Sequence, residues 1–153
     1  MEHRQLVHDF LSERGVVTLV TVDRKGYPTG RRVGFINEGF TCWVPTPKGS
    51  TKLQQIARTG KALLSFFDPA SNKYIQVKAD VEVVDDPDLV WSIRERYSDK
   101  YPRTKANLTP ESRDAFVALK LIPVEVRGDS IAGMGQSTRL RGEDLAIAGA
   151  PRE

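Results

Sequence analysis

The chain has 153 residues, 39% hydrophobic and 28% charged, which suits one ordinary domain able to bury its own core. The single cysteine, Cys42, excludes an intramolecular disulfide and a multi-cysteine zinc site, and no apolar run has the length to cross a bilayer. The 23 Lys and Arg against 20 Asp and Glu leave +3, less than a dedicated nucleic-acid domain usually gathers; the excess suits a small anionic ligand equally well.

Met1-Glu2-His3-Arg4 leads into an amphipathic segment and not the apolar core of a signal peptide, so the cytoplasm is the expected compartment. Residues 4–14 place Leu6, Val7, Phe10 and Leu11 on one face of a helix that Gly15 is expected to stop. Val16 to Val22 is β-branched almost throughout and reads as a strand covered on both sides. Asp23-Arg24-Lys25-Gly26 makes a turn, and a second strand runs from Tyr27 to Ile36. Asn37-Glu38-Gly39 turns the chain again into a third strand, Phe40 to Thr46. Two prolines and a glycine break the pattern at residues 45–49, and Ser50 is placed to cap a helix carrying Leu53, Ile56 and Ala57.

Ala62 to Phe67 and Tyr74 to Val84 supply two more strands, the latter alternating Ile75, Val77, Ala79, Val81 and Val83 against polar residues. Asp86-Pro87 is a cap followed by a first-turn proline, and Leu89, Val90, Ile93 and Tyr97 stripe the helix it opens. Thr109-Pro110 starts a shorter helix. Ala118 to Val126 is the sixth strand, in which Pro123 marks an edge or a bulge. Residues 1–133 then form one domain, and residues 134–153 read as a tail, mobile or docked on a partner subunit. Six mostly antiparallel strands with peripheral helices fit a mainly β fold, a small closed or split barrel that removes exposed edges.

Catalytic groupings are sparse. His3 and His8 lie on different sides of a helix and make no metal pair, Cys42 has no histidine near it, and the nucleotide-loop and nucleophile-elbow patterns are missing. An enzyme with this inventory would borrow its chemistry from a cofactor. Two features invite an anion. The unpaired N–H groups at the start of the second helix, with the hydroxyls of Ser50 and Thr51 and the charge of Lys52, make a phosphate cradle, although a plain cap with a solvated lysine fits that segment equally well. Arg31-Arg32 in mid-strand sends its two side chains to opposite faces, and one of them joined to Lys52 favours a phosphate site.

The order of these elements and their local motifs resembles the pyridoxamine 5′-phosphate oxidase-like flavoproteins, the FMN-binding split-barrel group, from about Leu6 to Val126. The resemblance rests on Gly26-Tyr27-Pro28 with Arg31-Arg32-Val33, then on Trp43-x-x-Thr46-x-x-x-Ser50-x-Lys52. It continues through Tyr74 to Val83 and the Asp85-Asp86-Pro87 helix start. It implies a six-stranded antiparallel split barrel that binds FMN and exchanges hydride equivalents through the flavin N5 as an oxidoreductase. Arg31 and Lys52 are then the phosphate ligands with Ser50 and Thr51 beside them, and Arg32 adjoins them in the same motif. Val33 and the Pro45-Thr46 backbone would lie along the flavin, with Tyr74 and Gln76 on a further contacting strand. It also implies a homodimer with the cofactor at the subunit interface and a small-molecule substrate or reductant. No nucleic-acid, membrane or metal role goes with that. An F420-dependent reductase of the same fold and a flavin-binding sensor without turnover are the alternatives. The C-terminal segment lacks the Trp-plus-Arg-Leu ending of the vitamin-B6 oxidases, and Thr51 stands where they often carry a second basic residue, so their substrate is not carried over.

Overall fold

In the computed structural model, which describes residues 2–147, an eight-stranded antiparallel sheet curls around one apolar core. Helix α1 (His3–Ser12) leads into β1 (Val16–Val22), β2 (Pro28–Gly34), β3 (Ile36–Glu38) and β4 (Thr41–Pro47). Helix α2 (Thr51–Thr59) precedes β5 (Lys61–Asp68) and β6 (Lys73–Val84), and α3 (Pro87–Lys100) precedes β7 (Phe116–Asp129) and β8 (Ser137–Arg141). The strand order is β2-β1-β5-β6-β7-β4-β3, with β8 added beside β7. The long β7 pairs with β6 along one edge; its other edge is shared between β4, opposite residues 116–121, and β8, opposite residues 125–129. A strand divided this way between two partners belongs to a split barrel. Val17, Leu19, Leu64, Val77, Leu119, Leu121 and Val126 fill the interior, and Val7 and Leu11 of α1 join them.

Several sequence expectations are refined by packing. The predicted second strand breaks at Phe35, because side chains at the C-terminal end of α3 and its cap take its backbone groups: its N–H donates to the Tyr101 hydroxyl at 2.9 Å, and its carbonyl accepts from Lys100 Nζ at 3.0 Å. β2 and β3 are the two pieces. Gly15 does not cap α1: the helix ends at Ser12 with Glu13 right-handed, and the Gly15 carbonyl instead receives the Tyr101 hydroxyl. The segment expected to be a tail continues the sheet as β8, and residues 148–153 of it lie outside the described residues. β1 is covered on one face only. Its inward residues Val17, Leu19 and Thr21 are buried, while Val16 on the outward face is 50% exposed.

Pro123 does mark a bulge. Lys78 pairs with Glu125 and Ala79 with Pro123, so Val124 is the extra residue and the inward set on β7 changes from odd to even positions across it. Asp86 caps α3 as expected, its carboxylate accepting from the N–H groups of Asp88 and Leu89. No helix among the described residues is long and apolar enough to cross a membrane.

Candidate functional site

The alternation that buries Val17, Leu19 and Thr21 also turns Arg31 inward, because Arg31 pairs with Leu19 across the β1–β2 ladder. Arg31 Nη1 donates to Thr21 Oγ1 at 2.8 Å and to the Leu19 carbonyl at 3.3 Å, and Nη2 donates to Gln55 Oε1 at 3.2 Å. The Thr21 hydroxyl donates a short hydrogen bond to the same Gln55 oxygen. Gln55 arrives from α2, held inward beside Ile56, whose side chain enters the core. The guanidinium is thus fixed by neutral acceptors alone.

The start of α2 faces this arginine. Ser50 holds the extended N-cap conformation, yet its hydroxyl caps nothing and is buried without a hydrogen-bond partner. That is unusual for a serine at this position, which normally satisfies a first-turn N–H. Lys52 is half-buried. Burial, and after it the charge of Arg31, push its ammonium below the ordinary value, and burial does the same to Arg31. Among the described residues, no carboxylate contributes to the charge balance of either group. Two converging cations, an unspent hydroxyl and the N–H groups of a helix start are the kind of donors that could hold a compact dianion such as a phosphate monoester.

The remaining predicted residues are not gathered there. Val33 faces inward but is buried against the core, and Thr46 is fully buried with its hydroxyl donating to the Val44 carbonyl at 3.2 Å. Pro45 lies on the opposite side of β4, where with Arg94, Tyr97 and Phe116 it lines a pocket of about 200 Å³ against α3. Arg32, Tyr74 and Gln76 all point outward. Arg32 and Gln76 belong to one cross-strand row through Thr18 and Ser65, and the Tyr74 hydroxyl donates to Gln76 Oε1 at 3.1 Å. Strand periodicity is the reason: a residue one step from an inward position must face out. The expected set is therefore divided: Arg31, Ser50 and Lys52 lie together, Arg32, Tyr74 and Gln76 share the opposite face of the sheet, and Val33, Pro45 and Thr46 belong to neither group.

The fold is matched by known proteins. The family model described as pyridoxamine 5′-phosphate oxidase matches residues 4–128. The chain belongs to the pyridoxamine 5′-phosphate oxidase family. Among solved structures, it is similar to a heme binding protein from Mycobacterium smegmatis, with a TM-score of 0.77 at 16% identity, covering 95% of this chain and 60% of that one. A putative pyridoxamine 5′-phosphate oxidase from Listeria innocua gives a TM-score of 0.69 at 20% identity, covering 82% of this chain and 97% of that one. An F420 reductase gives 0.63 at 23% identity over 78% of this chain and 94% of that one. At these identities the structures speak for the fold alone.

Within this family member, sequence reading missed Thr21 and Gln55, which position Arg31. Each left a signal: Thr21 is the one hydroxyl on the inward positions of an otherwise aliphatic strand face, and Gln55 sits beside Ile56 where α2 turns toward the core. It also missed a cleft of about 690 Å³ between α2 and the β1–β2 turn, lined by Arg24, Lys25, Thr51, Gln54, Gln55 and Arg58. Its volume falls in the range of cofactor-sized pockets.

Proposed function

We propose that this chain is an FMN-binding oxidoreductase that works as a homodimer. The observation that carries the reading is the buried, unbonded hydroxyl of Ser50 beside two cations that, among the described residues, have no carboxylate counterion. These groups fit the phosphate end of FMN: Arg31 and Lys52 supply charge, Ser50 supplies a hydroxyl donor, and Thr21 and Gln55 hold the guanidinium in place. Bound there, FMN would supply hydride exchange at its N5. The protein's own part is anchoring and orientation, and no side chain is required as nucleophile or general base.

The second cluster supports the dimer. Arg32, Tyr74 and Gln76 share the outward face with Val16 and Phe67, both about half exposed. A second copy laid on this face would cover the apolar strip and bring outward residues of one protomer to a ligand held by inward residues of the other. The ring nitrogens of His8 lie within 3.5 Å of Gln5, Asp9 and Ser12 on its own helix, an arrangement that does not favour haem ligation. An F420-dependent reductase of the same fold is the second reading, favoured by the basic cleft that continues from the clamp.

Titration with FMN, followed by flavin fluorescence, tests the assignment. The double variant Arg31→Ala with Lys52→Ala removes two charge-assisted contacts, and a loss of affinity of about a hundredfold or more is expected. Unchanged affinity in a folded double variant rejects the clamp.

A further inference from the structure

The pocket that Pro45 shares with α3 opens on the outer face of β4, away from the inward phosphate clamp. We infer that it binds a small aromatic carboxylate, a single ring bearing one carboxylate that pairs with Arg94. The inference stands apart from the clamp and from the FMN reading.

Arg94 is the group that calls for an anion. It is only 5% exposed, and neutral groups of the connection between α3 and β7 hold its guanidinium. Nη1 donates to the Ser112 carbonyl at 3.1 Å, and Nη2 to the Asn107 carbonyl and the Ser112 hydroxyl, each at 3.0 Å. Among the described residues no carboxylate pairs with it, and its Nε–H and second Nη1 hydrogen have no acceptor. A buried cation without a counterion carries a desolvation cost that a carboxylate would offset.

The walls decide what comes with the charge. Arg94 Cζ lies 4.0 Å from the Phe116 ring centroid, and Phe116, Tyr97, Leu108 and Pro45 supply flat or apolar surface. Ser98 and Thr104 also line the space, but their hydroxyls are 3.0 Å apart in a chain that ends with Thr104 donating to the Tyr101 carbonyl at 2.7 Å. Arg94 is thus the one charged lining residue, and no hydroxyl hydrogen of that chain is spare. A second donor without an acceptor stands in the same layer. Trp43, two residues along β4 on the same face as Pro45, keeps its indole N–H buried and unbonded, in a cluster that Tyr97 and Phe116 also pack against. At about 200 Å³ the pocket is smaller than the roughly 300–1,000 Å³ of sites for larger ligands, so it excludes a flavin and suits one ring.

The test titrates benzoate, and benzamide as its neutral analogue, into the full-length chain by calorimetry at fixed ionic strength. Benzoate should bind the wild type with a Kd below about 1 mM, and benzamide about tenfold or more weakly. Arg94→Met should bring the two ligands to equal affinity. Because that change also releases the Asn107 and Ser112 carbonyls, Leu108→Phe serves as a second variant that fills the pocket and leaves Arg94 in place. It should abolish binding of both ligands, while Arg103→Ala, at an exposed position of the same connection, should change neither. Thermal melts establish that each variant is folded. No heat from benzoate at millimolar concentration overturns the inference, as does equal affinity of benzamide for the wild type or undiminished benzoate binding in folded Leu108→Phe. Benzoate affinity lost in Arg31→Ala with Lys52→Ala would place the carboxylate on the clamp and overturn it too; unchanged affinity there, with FMN lost, supports two separate sites.

Discussion

Gln55 and Arg31 meet between α2 and β2 through a 3.2 Å hydrogen bond in which the acceptor is a neutral amide oxygen. A carboxylate at that place would satisfy the guanidinium better, and the chain does not use one. A neutral partner orients Arg31 and leaves its charge for something else.

The change Gln55→Glu should therefore weaken FMN binding by about tenfold or more, because the new carboxylate pairs with Arg31 and offsets Lys52. Thermal stability without ligand should not fall. Parallel fluorescence titration and thermal melts check both parts, and undiminished affinity would remove Arg31 from the phosphate site.

Lys52 makes stability depend on pH in a defined direction. Its ordinary value is 10.5, and burial followed by the charge of Arg31 lowers it in the folded chain. Below the lowered value, both states carry the proton and the folded state bears the full penalty. Between that value and 10.5 the unfolded chain binds more protons, so stability rises with pH through this window, and above it the penalty is gone. Lys52→Met should accordingly raise the urea midpoint at pH 7, with the difference from wild type shrinking as pH approaches 10.5. A phosphate on the clamp holds the ammonium charged, so anion affinity should fall as pH climbs through the same window.

Gly34 ends β2 against the tilted ring pair of Tyr97 and Tyr101, whose centroids are 4.5 Å apart. A Cβ at this position would lie 2.8 Å from Tyr101 Cζ and would meet the Tyr97 hydroxyl as well. Gly34→Ala should cost about 1–3 kcal/mol as the ring pair is forced off its seat. Urea unfolding measures it, and a change below about 0.5 kcal/mol would mean that α3 shifts without resistance.

What the sequence disclosed and what it concealed divide along the range of the interactions involved. The alternation in β6, the Asp86-Pro87 cap and the Pro123 bulge are local and were readable residue by residue. Strand parity put Arg31 and Arg32 on opposite faces, but that Arg31 is the inward one required the register with Leu19, and its partner Gln55 is 24 positions away in another element. Phe35 gave no local sign of a break, because Tyr101, 66 positions on, is what draws its backbone out of the ladder. Residues 137–141 looked like a tail because their composition is polar and short; their pairing with β7 makes them a strand. The site was legible as a list of residue types, while its division between two faces required the register.

The bulge at Val124 determines which side of β7 meets water. Before it, Val117, Leu119 and Leu121 face the interior; after it, Val126 and Gly128 do, and Glu125, Arg127 and Asp129 lie on the opposite face beside Arg139 and Arg141 of β8, where Glu125 is buried against Arg141. Removing this one residue would turn the far half of the strand inside out, driving two acids and an arginine toward the core and exposing Val126. Substitution at Val124 is then a minor event and deletion a topological one. A relative lacking a residue here would have to make up the lost step elsewhere in the strand to keep the same outward surface.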